Sequence, residues 1–507
     1  MSDKTNDCII AKRKISLPGK TETAIKFYLS YSAEIKSAVQ MPYISHKKVN
    51  TNKIEIETPD ENLNNIFNCF LQNQIIAGRI YGRTGFYQCS GAFGFRDQLQ
   101  DAMAVILTHP EILRTHIFRC AAAQFCEGDV LHWFHQIYTG GRRIMRGVRT
   151  KYSDDLLWLP LAVSEYCMKT GDVSLPDVQI PYIDAPVLDI NEKERYGEFT
   201  LSDKKDTVYN HCLKAINHAC VFGNHSLPLI KGGDWNDSFN EVGIEGKGES
   251  VWLAMFLSYV AKKFTFTALL KKDRKTAEFL TKLSDSLMLA IDTHAWSGDR
   301  YLRCFYDDGT PMGKQGSKEC QIDLLPQAWS AIIGMPDKNR VLTALETAEK
   351  LLCDKENSLI KLFSPAFTSK GKTAGYVNRY PEGVRENAGQ YTHGAVWLAD
   401  AYFSLGNGNK GYEMLKILNP ATKDTSVYKT EPYYLAGDVY AGKNIEGRGG
   451  WSIYTGSAGW FYRTVYEKML GITQTNGLII TNPCLPDGFE GSRVRITIDS
   501  DTREYIL

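Results

Sequence analysis

Apolar and polar positions follow three different patterns along this chain. Residues 9–32 alternate apolar and polar side chains, as β-strands do, and residues 33–56 show no regular period. From Asp60 onward the apolar residues recur every three to four positions, beginning at Leu63, which is the spacing of one helix face. Residues 476–507 return to short strand-like runs. The pattern therefore predicts a helical body with short β segments at both ends.

The helical pattern repeats many times within the body of the chain. The predicted helices are 98–108, 111–126, 154–170, 204–221, 249–270, 274–293, 337–352, 390–405, 410–417 and 457–470. The loops between them are rich in glycine, aromatic, arginine and aspartate residues, and examples are 82–97, 139–153, 231–248, 371–390 and 443–457. Long helices that alternate with such loops predict a mainly α fold, an α/α toroid whose loops gather at one mouth.

The same pattern divides the chain into four expected parts. They are strands at 1–32, a linker at 33–56, a helical barrel at 57–475 and a β appendage at 476–507. The length of 507 residues and the hydrophobic fraction of 43% suit one large helical domain with small additions.

The overall charge excludes some classes of partner. Lys plus Arg total 59 against 58 for Asp plus Glu, a net charge of +1, and no Lys/Arg-rich run occurs. Neither a nucleic acid nor an anionic membrane is therefore expected to bind, and an anionic substrate needs a local site. No apolar run reaches the roughly 20 residues of a membrane helix, and no apolar signal core follows the polar N-terminus.

The 12 cysteines lack the spacing of a disulfide framework or of a zinc site. Free thiols of this kind are typical of a reducing compartment. We therefore expect a cytoplasmic protein without a metal site.

The loop from Lys231 to Gly248 is the richest in candidate chemistry. Its run Gly-Gly-Asp-Trp-Asn-Asp places Asp234 and Asp237 on either side of Trp235. An aromatic wall offers a face to a sugar ring, and it raises the pKa of a neighbouring carboxyl group, which suits a general acid. The alternative is a turn built from side-chain caps without a catalytic role.

Two earlier loops carry adjacent donors and acceptors of the kind that sugar hydroxyls need. Arg96 and Asp97 stand where a loop enters a helix, and Arg149 precedes Ser153 and Asp154. In the alternative interpretation the first pair is a helix cap with its ion pair, and Ser153 caps the helix that follows.

The C-terminal loops suggest an anion site. Glu386, Gln390 and His393 lie in one segment, while Thr455 and Gly456 directly precede a predicted helix. Free backbone N–H groups at a helix start, together with a hydroxyl and an imidazole, can hold an oxyanion. A core histidine and an ordinary threonine cap are the alternatives.

Taken together, these segments resemble glycoside hydrolase family 94, the inverting β-glucoside phosphorylases. The resemblance rests on 86–88, 95–101, 147–150 with 153–155, 233–237, 248–252, 385–387 with 390–393, and 455–460. These segments occur in family order from about residue 57 to the C-terminus. They resemble the branch of cyclic β-1,2-glucan synthases, β-1,2-oligoglucan phosphorylases and cellobionic acid phosphorylases more than cellobiose phosphorylase.

The resemblance implies an (α/α)6 barrel with Asp237 as the single proton donor. It implies substrate contacts by Arg96, Asp97, Asp101, Arg149, Asp154, Asp234, Trp235, Glu386 and Gln390. It implies phosphate contacts by His393, Thr455 and Gly456. In the family a large N-terminal β-sandwich precedes the barrel, so residues 9–32 are expected to be the last strands of a shortened sandwich.

The implied reaction is inverting phosphorolysis of a β-glucosidic bond, and its reverse. The expected partners are a β-linked disaccharide or oligosaccharide and inorganic phosphate, with no metal or organic cofactor, and a homodimer is left open. Two rival functions also remain open. One is an inverting hydrolase with Glu386 as base, and the other is a non-catalytic carbohydrate-binding domain.

Overall fold

The protein is mainly helical, as the spacing of its apolar residues predicted, and it also contains several small sheets. The computed structural model describes residues 52–83, 91–139, 142–189, 191–431, 433–454 and 456–507. The strands predicted at 9–32 and most of the linker predicted at 33–56 lie outside these residues. So do residues 86–88 and Thr455. The described residues belong to one compact unit, Thr51–Leu507.

The α-helices within the described residues are numbered in chain order. They are α1 (Glu61–Asn65), α2 (Phe95–Ala104), α3 (Pro110–Ala121), α4 (Trp158–Thr170), α5 (Val208–Ala219), α6 (Val251–Leu270), α7 (Arg274–His294), α8 (Leu324–Ile332), α9 (Lys338–Leu352), α10 (Thr392–Ser404), α11 (Gly408–Leu418), α12 (Thr425–Tyr428) and α13 (Ser457–Arg463). Segments of π-helix follow α1 and α13, at Ile66–Leu71, Gln74–Gly82 and Thr464–Met469.

The predicted helices agree with this order except for α8 and the four-residue α12, which the pattern did not indicate. Eight of the nine residues of α8 are buried, so it has no polar stripe to reveal a helical period. Side-chain caps fix where several of the predicted helices begin. Ser250 accepts from the N–H of Leu253 at 2.9 Å, and Asp273 accepts from that of Thr276 at 3.0 Å. Caps of this kind each stabilise a helix by about 1 kcal/mol.

Six of the described helices contact one another in a closed series. Helix α2 packs on α4, α4 on α6, α6 on α8, α8 on α10, α10 on α13, and α13 on α2 again. Five of them also pack against the next helix in the chain, which is α3, α5, α7, α9 or α11. The chain therefore adds helices in consecutive pairs, as the alternation of helices and loops predicted.

A cluster of tryptophans fills the space between these six helices. Trp397 of α10 lies 5.1 Å from Trp329 and 5.5 Å from Trp460, between ring centroids. Trp252 lies 5.8 Å from Trp329, and Trp158 lies 6.5 Å from Trp460. Edge-to-face pairs at these distances add to the stabilisation from burial. Each of these helices except α2 contributes one tryptophan to the shared core.

A five-stranded sheet replaces the loop that the sequence predicted at 139–153. Its antiparallel strands follow the order Phe93–Gly94, Leu131–Thr139, Arg142–Thr150, Glu194–Thr207 and Gln179–Asp184. Glycines and four arginines in this segment suggested a charged loop. In the sheet Arg146 alternates with the buried residues Met145 and Gly147, so the arginines lie on strand positions that a loop interpretation overlooks.

The strands expected within 476–507 are present, whereas the expected linker differs from the prediction. Lys53–Glu57, placed in the expected linker, form a strand that pairs with Arg493–Ile498, which in turn pairs with Asp501–Ile506. Ile54 and Ile56 are buried on one face of this sheet, a period of two that is too short to stand out in the sequence. The other short strands are Glu249–Ser250, Cys304–Phe305, Pro311–Met312, Ile322–Asp323, Cys353–Asp354, Leu359–Ile360, Phe363–Ser364, Gln390–Tyr391, Asp438–Val439, Ile472–Thr475 and Leu478–Thr481.

Helix α6 has the length and the apolar composition that a membrane-spanning helix requires, contrary to the expectation from the sequence. In the structure it is one of the six helices around the tryptophan cluster, and Trp252 and Phe256 on it are fully buried. Packing inside the protein therefore accounts for its apolar surface.

Candidate active site

The candidate site is built at the N-terminal ends of the six mutually packed helices. Arg96 is in the first turn of α2, Asp154 precedes α4 by one short turn, and Asp323 caps α8. His393 is in the first turn of α10, and Gly456 caps α13. Residues that are far apart in the sequence are thus brought to the same end of the helical body.

The loop that carries Asp237 is fixed to the residues that precede α4. The carbonyl oxygen of Gly233 accepts from the N–H of Ser153 at 2.9 Å and from its hydroxyl at 3.0 Å. Gly233 has φ +127°, and an added Cβ would lie 3.0 Å from the ring of Tyr152. A side chain would therefore strain the backbone and collide here, so the glycine is needed where the loop meets Tyr152.

Asp237 lies between two cationic side chains. Its Oδ1 accepts a hydrogen bond from Nη2 of Arg96, and its Oδ2 lies 3.5 Å from Nε2 of His132. The carboxyl side chain remains 24% exposed, so a ligand can reach it. Burial raises the pKa of Asp237, and the charges of Arg96 and His132 oppose that rise. Asp237 is therefore an accessible carboxyl group whose protonation depends on its two neighbours.

His132 is a site residue that the sequence analysis did not single out. Its Nδ1 lies 2.8 Å from Oδ2 of Asp155, whose side chain is 1% exposed. Burial alone would lower the pKa of His132, but the charges of Asp155 and Asp237 raise it to about 9. His132 is consequently protonated at neutral pH, and the ring faces Asp237 as a cation.

Arg96 connects several carboxylates at once. Its Nη1 donates to Oδ1 of Asp154 at 2.7 Å and to the carbonyl oxygen of Asp234 at 3.1 Å, and its Nε lies 3.4 Å from Asp155. Asp154 also accepts from the indole N–H of Trp158 at 3.1 Å. Because Asp154 is fully buried, desolvation raises its pKa to about 7 despite Arg96. Asp154 thus holds Arg96 in place and has no exposed face of its own.

Of the two roles that the sequence leaves open for Asp234, a structural neighbour of Asp237 or a sugar contact, its environment fits the structural one. Both carboxylate oxygens pair with Arg303, at 2.7 and 2.6 Å, and Oδ2 also accepts from Ser250 at 2.6 Å. Both side chains of this pair are completely buried, and Nε of Arg303 lies 3.3 Å from Asp323. Burial would raise the pKa of Asp234, but Arg303 lowers it below its usual value. Asp234 therefore anchors the loop and leaves Asp237 as the accessible acid.

Arg149 is likewise turned away from a ligand. The side chain is 0% exposed, and it pairs with Asp129 through Nε at 2.6 Å and through Nη2 at 2.8 Å. Its Nη1 donates to the carbonyl oxygen of Pro186 at 2.9 Å. Every donor group of the guanidinium is thereby used within the protein, which corrects the predicted substrate role.

We expect Arg149→Met to lower the free energy of unfolding by about 1–3 kcal/mol, because buried partners lose their hydrogen bonds. Turnover per folded molecule and KM for sugar should stay within about threefold of wild type. Arg146→Met is the matched control on the same strand, since its ion pair with Glu198 is exposed and should contribute little. Chemical unfolding and steady-state kinetics measure both effects. A tenfold rise in KM without loss of stability would restore Arg149 to the sugar site.

Trp235 is packed within an aromatic cluster, and most of its side chain is buried. It is 6% exposed and lies 5.2 Å from Tyr391, 5.4 Å from His393 and 5.6 Å from Trp397. Only a small exposed portion of the indole is therefore available as the predicted face for a sugar ring.

One residue predicted to bind phosphate, His393, and one predicted to contact the sugar, Asp101, each have a buried polar atom without a partner. Nε2 of His393 and Oδ1 of Asp101 have no hydrogen-bond partner among the described residues. A Cβ placed on Gly456 would lie 3.8 Å from Cε1 of His393 and 3.9 Å from that oxygen of Asp101, so the three residues adjoin. Burial lowers the pKa of His393 well below its usual value and raises that of Asp101 to about 7. A neutral imidazole and a protonatable carboxyl group thus face Gly456, while Thr455 lies outside the described residues.

Three predicted substrate contacts remain, which are Gln390, Asp97 and Glu386. Gln390 is buried, donates to Thr392 at 3.0 Å and accepts from the N–H of Ile360 at 2.9 Å, so it supports the backbone. Asp97 is partly exposed, and no described residue pairs with its carboxylate. Glu386 is 6% exposed beside Arg385, whose Nε lies 3.3 Å away, and burial raises the pKa of Glu386.

Aromatic residues that the sequence analysis did not select surround Asp237 and Glu386. The guanidinium of Arg385 lies 4.3 Å from the ring centre of Trp451 and 5.2 Å from that of Tyr454. Burial raises the pKa of Tyr376, Tyr391 and Tyr454, and the charge of Asp237 adds to each rise. These hydroxyl groups are therefore neutral donors near the carboxyl group. Only their position beside glycine-rich loops could have indicated them in the sequence.

Comparisons with known proteins show which family and which proteins this chain is similar to. Residues 46–471 match the family model described as the catalytic domain of the glycosyl hydrolase 94 superfamily. The chain is 38% identical over 458 residues to the cyclic β-(1,2)-glucan synthase NdvB of Rhizobium meliloti (strain 1021), which covers 89% of this chain and 16% of that protein. It is 28% identical over 473 residues to the solabiose phosphorylase of Paenibacillus borealis, covering 92% and 56%. It is 22% identical to the 1,2-β-oligoglucan phosphorylase of Listeria innocua serovar 6a, covering 82% and 40%. The chain thus spans 16% to 56% of the length of these relatives.

Solved structures support the fold alone. A GH78 family rhamnosidase of Bacillus sp. GL1 superposes with a TM-score of 0.57 at 11% identity, over 88% of this chain and 39% of that chain. An uncharacterized conserved protein from Thermus thermophilus superposes with a TM-score of 0.52 at 10% identity, over 78% and 98%.

Proposed function

Because this chain belongs to the glycosyl hydrolase 94 superfamily, we propose that it cleaves β-glucosidic bonds by inverting phosphorolysis and also catalyses the reverse synthesis. The products of phosphorolysis are α-glucose 1-phosphate and a shortened sugar. The proposed substrates are β-linked gluco-oligosaccharides or disaccharides together with inorganic phosphate. The relatives named as phosphorylases support the reaction class, and their different names leave the linkage to experiment.

We also propose that the helical body is an (α/α)6 barrel. The closed series of contacts through α2, α4, α6, α8, α10 and α13 supports an inner ring, and the helices paired with them support an outer one. In such a ring the N-terminal ends of the inner helices lie at one face. The concentration of candidate residues at those ends agrees with this arrangement.

The environment of Asp237 carries the functional proposal. A general acid must be reachable by the substrate and must keep its proton more readily than an ordinary aspartate does. Asp237 is 24% exposed and burial raises its pKa, whereas Asp154 and Asp234 are enclosed by their partners. The chain thus presents one aspartate with the properties of a proton donor beside a buried arginine and a buried histidine.

The proposed reaction proceeds in one displacement. Asp237 gives its proton to the bridging oxygen as that oxygen leaves the anomeric carbon. Phosphate attacks the same carbon from the opposite face, which inverts its configuration. In synthesis the ionised Asp237 takes the proton of the acceptor hydroxyl while phosphate leaves. An inverting hydrolase needs a second carboxylate as base for water, but phosphate is already an anionic nucleophile. No metal or organic cofactor enters this step.

The region of His393, Asp101 and Gly456 is the proposed place for phosphate. Buried polar atoms without partners are costly, and the side chains that carry two of them, His393 and Asp101, both lie beside Gly456. A phosphate ion offers oxygen atoms that can accept from an imidazole N–H and, as its monohydrogen form, a hydroxyl that can donate to a carboxylate. Arg79 and Arg96 lie close enough for their charges to act on His393, so the region is also electropositive.

The proposal is tested by the dependence of turnover on phosphate. Sophorose, cellobiose and longer β-glucans are incubated with and without phosphate, and α-glucose 1-phosphate and free glucose are measured separately. We expect sugar 1-phosphate in stoichiometric amounts and only when phosphate is present. Glucose released without phosphate would identify a hydrolase, with Glu386 as the candidate base. Glucan binding without turnover in either direction would identify a carbohydrate-binding domain. Synthesis from α-glucose 1-phosphate with glucose, sophorose, cellobiose or gluconate then defines the acceptor.

A further inference from the structure

His132 makes contacts that the proposed reaction does not itself require. The strand Leu131–Thr139 carries it to the edge of the site, where the ladder with the next strand is irregular between Leu131 and Trp133. The irregularity lets His132 turn toward Asp155 and Asp237 while Phe134 on the same strand enters the core at 0% exposure. A bulge that redirects one side chain into a site is a specific feature of the backbone.

Asp155, His132 and Asp237 form a line of alternating negative, positive and negative charge. Asp155 Oδ2 lies 2.8 Å from Nδ1 of His132, and Nε2 of the same ring lies 3.5 Å from Oδ2 of Asp237. Asp155 is 1% exposed and His132 16%, so water screens this line poorly. A carboxylate that accepts a hydrogen bond from one ring nitrogen fixes the orientation of the imidazole. It also determines whether the other ring nitrogen carries a proton.

We propose, on the basis of the phosphorylase function above, that His132 is a positioning residue: Asp155 holds its protonated ring so that it orients Oδ2 of Asp237 and favours the ionised carboxylate. Arg96 holds the other oxygen of Asp237 in the same way. The ionised form is the one that accepts a proton from an acceptor hydroxyl. The pair of cations therefore prepares Asp237 for synthesis and makes its protonation for phosphorolysis depend on pH.

Other charged or titratable groups also act on the members of this line. Those that interact electrostatically with Asp237, His132 or Arg96 are Asp97, Asp154, Glu386, His393, Tyr152, Tyr376, Tyr380, Tyr391 and Tyr454. Burial raises the pKa of each of these tyrosines, so they stay neutral at the pH of an assay. Arg96 keeps its charge at every pH of the assay. A conservative substitution of His132 is therefore the simplest way to remove one of the two cations near Asp237.

The sign of the pH effect follows from the charge. Loss of the His132 cation raises the pKa of Asp237, by about one unit or more for an opposite charge at this range. Synthesis requires ionised Asp237, so the acid limb of its kcat/KM profile moves to higher pH in His132→Gln. Phosphorolysis requires protonated Asp237, so its alkaline limb moves to higher pH as well. Wild type and variant use the same sugar phosphate, and the titration of the substrate cancels in the difference.

The kinetic test compares wild type, His132→Gln and Asp155→Asn, with His135→Gln as the matched control on the same strand. We expect both limbs to shift upward by about one pH unit in His132→Gln and to stay in place in the control. In Asp155→Asn the shift should be smaller, because the charge of Asp155 also raises the pKa of Asp237 directly. The double variant should shift no further than His132→Gln, because without the His132 cation the change at Asp155 only removes a negative charge. Reduced activity with limbs at the wild-type pH would overturn the proposal and leave His132 a purely structural role.

A second measurement is independent of turnover. The ring of His132 is followed by NMR in histidine-labelled wild-type protein, assigned with His132→Gln, and again in Asp237→Asn. We expect a midpoint near 9 in wild type, and a lower midpoint in Asp237→Asn because the coupling between the two sites is reciprocal. An identical midpoint in both proteins would refute the proposal even if the wild type proved to be no phosphorylase. A shifted midpoint in an inactive wild type would reject only the proposed function.

Discussion

Asp237→Asn should lower turnover in both directions by roughly 10²–10⁴-fold, the usual contribution of a general acid or base. The amide has nearly the same shape as the carboxyl group and can still accept from Arg96 through its oxygen. It cannot give a proton to a leaving oxygen or take one from an acceptor hydroxyl. Release of phosphate from α-glucose 1-phosphate and formation of the sugar phosphate measure the two directions.

The fold of this variant should persist, because Asp237 is 24% exposed and no core contact depends on its charge. Its neighbour Asp234 supplies a contrast. Asp234→Asn removes a fully buried charge from the pair with Arg303, so it should reduce stability. If Asp237→Asn kept wild-type turnover while Asp234→Asn lost it, the assignment of the proton donor would be wrong.

The largest loss of stability is expected from Arg303→Met, about 3–5 kcal/mol in the free energy of unfolding. Arg303 is 0% exposed and neutralises two buried carboxylates, Asp234 at 2.6 Å and Asp323 at 3.3 Å. Methionine fills much of the same volume but leaves both charges uncompensated. Because Asp323 caps α8 and Asp234 anchors the catalytic loop, the loop and the helix start should loosen together.

Arg340→Met is the control for Arg303→Met. Arg340 pairs with Asp292 at 2.7 Å, but the two side chains are 32% and 43% exposed, so the substitution should cost less than about 1 kcal/mol. Thermal and denaturant unfolding compare the two variants under the same conditions. Equal losses of unfolding free energy in both variants would show that burial of the Arg303 cluster adds nothing to the stability from its ion pairs. At low pH the loss of stability in this cluster should come from Asp234, whose pKa Arg303 holds below its usual value, and not from Asp323, whose pKa burial raises to about 6.

The sequence by itself determined the parts of this protein that are encoded by neighbouring residues. Side-chain caps and apolar spacing located helices such as α6 and α7 to within two residues, because both signals act over one or two turns. The run from Asp234 to Asp237 marked a candidate site, because a tryptophan between two aspartates in a glycine-flanked loop is a local arrangement. The order of several such segments along the chain indicated the family and Asp237 as the candidate acid. The strand of Lys53–Glu57 escaped because five residues are too few for its alternation to stand out, and helix α8 escaped because eight of its nine residues are buried.

Only the tertiary structure decided what each candidate residue contacts. Arg96 reaches Asp237 across 141 positions of sequence, and Arg303 reaches Asp234 across 69. These contacts made Asp234, Arg149 and Gln390 parts of the scaffold, and they brought His132 beside the proposed acid. The physical reason is that a charge or hydrogen-bonding group acquires its role from its burial and its partners. Both are fixed when the packed helices bring distant loops to one end of the helical body, which no local pattern of residues records.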